Sequence, residues 1–181
     1  MKGKVMIKKS LIAIVCFIFV GSSVSVAQQY KYVGAASCKA CHNKPATGKQ
    51  YDIWASSLHA SALKSLSSEK SLEYAKKNNI ADPTKEKACL KCHSTYYSVN
   101  EDLIMPSLKE TEGVSCESCH GPGSAYKSMT IMKDHAKSLA NGLILPTKDV
   151  CEKCHNKENP FHVPFNFETA VKKIAHPNPA K

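Results

Sequence analysis

The chain has 181 residues, with 25 lysines, 15 acidic residues and no arginine, for a formal charge of +10. That length bounds the answer to one ordinary domain. A basic balance points first to nucleic acid or an anionic surface, but without arginine the side chain best suited to bidentate phosphate recognition is missing, and no nucleic-acid partner is expected.

Lys2, Lys4, Lys8 and Lys9 open the chain, Leu11 to Val20 form a continuous apolar run, and Ser25-Val26-Ala27 supplies small residues after it. This is the pattern of a secretory signal over residues 1–27, cleaved near Ala27. It leaves a domain of residues 28–181 in the periplasm or an equivalent extracytoplasmic space. The apolar run is short for a spanning helix, so membrane attachment is expected only if the segment stays uncleaved. Cys16 leaves with it, because Val15 is a poor match to the small residue expected before a lipoprotein cysteine. The loss of four lysines leaves 21 against 15 acidic residues, a charge of +6.

The remaining elements follow in order. Tyr32-Val33-Gly34 leads into Cys38-Lys39-Ala40-Cys41-His42. A helix is expected from Gln50 to Leu66, with Tyr51, Trp54, Leu58 and Ala62 at helical spacing and His59 among small and apolar neighbours. A polar helix from Lys70 to Asn78 stops before the turn Asp82-Pro83, ahead of Cys89-Leu90-Lys91-Cys92-His93. Met105-Pro106 separates this from Cys116-Glu117-Ser118-Cys119-His120, which runs into Gly121-Pro122-Gly123. The span from Ser128 to Ala140 reads as a helix with Ile131, Met132, His135 and Leu139 on one face. Asn141-Gly142 and Leu145-Pro146 turn the chain into Cys151-Glu152-Lys153-Cys154-His155. After Asn159-Pro160 comes His162, and Asn166 is placed to cap a last helix running to Ile174, before His176-Pro177. Strand patterning is nearly absent, and the unequal spacing of the four cysteine segments excludes a fixed repeat.

Pairs of Cys-x-x-Cys also build zinc sites, and cysteines in a small exported domain also form disulfide frameworks. Neither chemistry needs a histidine after every second cysteine, and only eight of 181 residues are histidine. Thioether attachment of haem c does need it: two thiolates add to the haem vinyls and the histidine ligates iron. Four haem c groups are therefore expected, bound covalently through Cys38, Cys41, Cys89, Cys92, Cys116, Cys119, Cys151 and Cys154. His42, His93, His120 and His155 are the proximal ligands. The expected fold is mainly α and loop-rich, a multihaem cytochrome c with short helices packed around four covalently bound haems that supply most of the core. The basic charge also changes meaning. About eight haem propionates, offset by about one positive charge at each ferric core, bring the assembled protein to about +2 oxidised and about −2 reduced.

Four histidines lie outside the motifs: His59, His135, His162 and His176. Four proximal and four distal imidazoles would make every iron six-coordinate, a state suited to electron transfer because no ligand changes on reduction. His162 carries the weakest case, since the Asn-Pro turn before it restricts its path. Met105, Met129 and Met132 are read as packing residues.

The chain resembles the tetrahaem cytochrome c-554 family over nearly the whole predicted mature chain. The resemblance is carried by Tyr32-Val33-Gly34, by Trp54 through Ala60, by Gly113 through Ser124 and by Phe165 through His176. It implies a mainly helical fold, haems packed in close pairs, and periplasmic electron transfer in nitrogen-compound metabolism, often from hydroxylamine oxidoreductase. It also implies three bis-histidine haems and one five-coordinate haem, whereas eight histidines suffice for four pairs. His162 matches no family position, so the second haem, at His93, is either open or closed by His162. The leading expectation is an electron carrier between redox protein partners, such as an oxidoreductase and a quinol-linked cytochrome, in nitrogen-compound or anaerobic respiratory metabolism. The rival is an enzyme whose open haem acts on nitric oxide, nitrite or hydroxylamine. A third reading is a subunit docked on a larger oxidoreductase. No nucleophile–base arrangement and no nucleotide loop stands outside the haem sites, so no other catalytic residue is expected.

Overall fold

The computed structural model describes residues 29–179; the expected signal segment, with Cys16, lies outside the described residues. Extended pairing among the described residues is a single parallel bridge between Tyr32 and Ile104. Everything else regular is helical and short. In chain order the helices are α1 (Ala36–His42), α2 (Gln50–Ala55), α3 (Ala62–Ser65), α4 (Glu69–Lys77), α5 (Lys87–His93), α6 (Thr95–Ser98), α7 (Cys116–His120), α8 (Met129–Met132), α9 (His135–Ala140), α10 (Lys148–Glu152) and α11 (Phe167–Ile174). Single 3-10 turns occupy Pro45–Thr47 and Glu101–Leu103.

Local chemistry starts several of these helices. Side-chain oxygens of Ser68, Glu86, Asp134 and Asn166 accept N–H bonds at the N-termini of α4, α5, α9 and α11. Each satisfies one donor that the helix leaves unpaired. The last helix begins and ends as expected. Two others do not. The expected helix from Gln50 to Leu66 is broken between Ala55 and Ala62, because the His59 carbonyl leaves the helical ladder and accepts from Val114 N–H at 2.9 Å. Trp54 donates its indole N–H to the Val114 carbonyl at 2.8 Å, and Gly113 lies so close that a Cβ there would fall 2.6 Å from the carbonyl oxygens of His59 and Ala60. Tertiary bonding has overridden helical propensity. The expected helix from Ser128 to Ala140 is likewise split, and Asp134 caps its second half by accepting from Lys137 N–H at 3.0 Å.

That cap carries a pH dependence. The backbone N–H of Lys137, and then its ammonium group, hold the Asp134 carboxyl below its ordinary 3.8. A carboxyl lowered in the folded state contributes stability above its unfolded pKa, and that contribution is lost as pH falls through the folded value. Asp134→Ala is therefore expected to weaken protection of the α9 amides in hydrogen exchange near neutral pH. The difference from wild type should fade as pH falls through the folded-state pKa, which lies below 3.8. A difference that persisted in acid would exclude the ionised cap as its cause.

Few side chains are fully covered. Val33, Ala35, Leu66, Ala75, Leu90, Leu108 and Tyr126 make up the buried apolar set, and Ser94, Thr95, Ser115, Glu117 and Ser138 are buried polar residues. The polar members tie loops together. Ser115 N–H donates to Thr95 Oγ1 at 2.7 Å, Thr95 and Ser118 hydroxyls share a bond of 2.6 Å, and Ser94 Oγ donates to the Glu112 carbonyl at 2.8 Å.

Candidate functional site

Three of the four Cys-x-x-Cys-His segments lie wholly inside a helix, in α1, α5 and α7. The fourth starts in α10 and finishes in a turn, where Cys154 and His155 N–H groups both donate to the Cys151 carbonyl, at 3.2 and 3.0 Å. One helical turn puts residues three apart on one face, so in the three helical segments each pair of thiols points the same way. None of the eight motif cysteines is in a disulfide.

The segments are not ordered in space as they are in sequence. The Cys38 and Cys116 thiols lie close enough to shift each other, down for the first and up for the second, which puts the first segment against the third. Helix α7 packs on α10, and Cys151 adds to the burial that pushes up the Cys119 thiol, so the third adjoins the fourth. Burial, followed by the nearby Cys92 thiol, pushes Cys154 up to about 12, placing the fourth against the second. A Lys91–Glu158 ion pair at 2.9 Å reinforces that last contact. The spatial order is first, third, fourth, second.

The histidines sort in the same way. His59 faces His155 with ring centres 6.0 Å apart and planes at 80°. His120 and His176 have ring centres 5.9 Å apart and planes at 45°. Two imidazoles bound end-on to one metal, with bonds of about 2 Å, have ring centres about 6 Å apart. Burial lowers the pKa of His59, as does the neighbouring His155. Burial also lowers that of His120, against a backbone bond from Ile144, and desolvation lowers that of His176. Each is thereby favoured as the neutral imidazole that a metal requires. Phe165 stacks on His155 at 5.1 Å and 17°.

Three motif histidines engage Nδ1 with a neighbouring oxygen. His93 Nδ1 lies 2.7 Å from the Ala62 carbonyl and 3.2 Å from Ser65 Oγ, His120 Nδ1 is 3.2 Å from the Ile144 carbonyl, and His42 Nδ1 is 3.4 Å from Gln50 Oε1. A proton on Nδ1, donated to these oxygens, leaves Nε2 free as a metal donor. Gln50 also donates to the Pro177 carbonyl at 2.9 Å, holding the residue after His176 near the first segment. The other two histidines are placed differently. His135 is exposed at the start of α9, and His162 is half-buried after a turn in which its N–H donates to the Asn159 carbonyl at 2.9 Å. Among the described ring contacts, neither faces a motif histidine.

A family model described as "Cytochrome c554 and c-prime" matches residues 37–121. Cytochrome c-554 of Nitrosomonas europaea is 31% identical over 158 residues, covering 83% of this chain. The chain belongs to the cytochrome c-554 family. It spans 63% of the length of that curated relative. Among solved structures, no significant match is found. Haem c is the cofactor the family implies.

The residues of this cytochrome fit that group. Cysteines three apart and in no disulfide, a histidine next to the second of them with Nε2 available, and two imidazole pairs at the separation of a shared metal form its donor set. Leu58, beside His59, is 90% exposed, and Val163, beside His162, is 71% exposed; both offer apolar surface of the kind a porphyrin face covers.

One residue of consequence has no signal of its own in the sequence. Glu117, inside the third motif, is 1% exposed. Its Oε1 accepts from Val33 N–H at 2.8 Å and Gly123 N–H at 2.7 Å, and its Oε2 accepts from Gly34 N–H at 2.7 Å and Val33 N–H at 3.0 Å. Burial raises its pKa, opposed by these three N–H donors. Gly34 has φ of +80°, and a Cβ there would lie 2.8 Å from the Leu108 Cα, so glycine alone fits beside the carboxylate. Glu152 holds the same place in the fourth motif, yet its side chain is 40% exposed and pairs with Lys148.

Proposed function

We propose that this cytochrome is a tetrahaem electron carrier of the periplasm, passing electrons between redox proteins through the order first, third, fourth, second. Haem supplies a one-electron iron couple at each attachment segment. The observation that carries the reading is the pair of imidazole couples, His59 with His155 and His120 with His176, at 6.0 and 5.9 Å. Two imidazoles on one iron leave no position for a substrate, and the protein's remaining task is to hold donors and neighbouring segments fixed. His135 and His162 are the further donors, His162 for the second segment. Support for His162 comes from its surroundings: Glu158 is ion-paired to Lys91 of the second motif, while Phe161 packs on Tyr74 at 5.3 Å with Lys70 over its ring at 4.4 Å. The chain bearing His162 is thus pinned beside the second segment. This departs from the five-coordinate haem that the resemblance implies.

The functional partners in this reading are an oxidoreductase as donor and a quinol-linked cytochrome or similar protein as acceptor, in nitrogen-compound or anaerobic respiratory metabolism. Low-temperature electron paramagnetic resonance of the oxidised protein should show low-spin signals alone, and carbon monoxide should leave the reduced spectrum unchanged. A high-spin signal in the wild type would return the enzyme reading, with an open haem acting on nitric oxide, nitrite or hydroxylamine. His162→Ala should create one high-spin centre. An unchanged spectrum would remove His162 from the ligands.

A further inference from the structure

We propose that Glu117 is a positioning residue that clamps the first attachment segment to the third and, by its charge, biases both of their haems toward the ferric state. The inference rests on the tetrahaem reading above. Glu117 belongs to α7, the third motif, but two of its three donors, the Val33 and Gly34 N–H groups, come from the chain just before α1 and the first motif. The third, Gly123 N–H, comes from the turn after α7. The carboxylate therefore sits where the two segments join, and the joined segments are those whose Cys38 and Cys116 thiols meet.

Its contacts favour the ionised form, against the burial that raises its pKa. Both oxygens already receive N–H donors, so a proton on either would stand against a donor rather than an acceptor. Among the described residues no lysine or histidine forms an ion pair with it. The groups around it do not neutralise it. Glu112, which accepts from Ala35 N–H at 3.0 Å, adds negative charge; the Tyr126 hydroxyl donates to the Gly121 carbonyl at 2.8 Å instead; Tyr32 is neutral; and Lys127 is exposed. A buried, cation-free carboxylate acts through a low dielectric. Ferric iron carries one more positive charge than ferrous, so the field opposes reduction, and nearby charge is among the factors that set haem potentials. Glu152, half-exposed and paired with Lys148 in the fourth motif, lacks these conditions, so the fourth segment carries no equivalent buried charge.

The test compares spectroelectrochemical titrations of the wild type, Glu117→Gln and Glu117→Asp, with haem content fixed by mass. In Glu117→Gln, two of the four midpoint potentials should rise by about 59 mV or more, tenfold in each ferric–ferrous equilibrium, while two stay in place. Glu117→Asp keeps the charge and shortens the reach, so its potentials should remain at wild-type values even where its melting point falls. Potentials that do not move in the glutamine variant, or four that move together, overturn the proposal. A rise in the aspartate variant equal to that in the glutamine variant also overturns it, because geometry rather than charge would then set the potentials. If the glutamine variant retains no haem, the aspartate variant decides by the same criterion: wild-type potentials uphold the proposal and raised potentials overturn it. Fewer than four haems in the wild type would instead sink the tetrahaem reading.

Discussion

Chain made without haem attachment, by changing the eight motif cysteines to alanine, is expected to show little helical circular dichroism and no cooperative transition in urea. The reasons lie in element size and burial. The longest helix among the described residues, α4, has nine residues, below the roughly 12–15 at which an isolated helix becomes even marginal in water. Helices that short depend on an apolar face packed against something, and seven buried apolar side chains, two of them alanine, are all that the described residues offer one another. Several large apolar side chains stand exposed instead, Leu58 and Val163 foremost. The haem-loaded protein, whose cofactors add apolar surface and covalent ties, should unfold in one steep transition. A haem-free chain that kept native helicity and melted cooperatively would show that the polypeptide supplies its own core.

The second large effect concerns one imidazole. Removing His59, as His59→Ala, should convert one low-spin haem into a high-spin centre that binds carbon monoxide when reduced, with His155 retained on the opposite side. The fold should survive, because the contact that shapes this region uses the backbone: the His59 carbonyl accepts from Val114 N–H, and alanine keeps it. His176→Ala should do the same at the His120 centre. The two centres belong to different segments, so the double variant should show two high-spin signals where each single variant shows one. An unaltered resonance spectrum in His59→Ala would mean that its 6.0 Å approach to His155 does not reflect a shared iron.

The four motifs and the last helix with its Asn166 cap were legible because each is written in local spacing or cap chemistry. What was not legible depends on residues far apart in sequence. Nothing around His59 says that its carbonyl will be taken by Val114, so the helix through it could not be seen to break. Glu117 and Glu152 stand at the same position of similar motifs, and only the arrival of Val33 and Gly34 makes the first a buried clamp and leaves the second at the surface. The neighbour relations among the four segments are tertiary facts of the same kind.

Those relations also constrain how the molecule is made. The first segment touches the third and the second touches the fourth, so on any route in which the chain emerges N-terminus first, residue 38 must wait for residue 116, and residue 92 for residue 154. No close pair can form while its later member is still to come. Because both contacts join residues far apart in sequence, this pairing belongs to the slow, long-range part of folding.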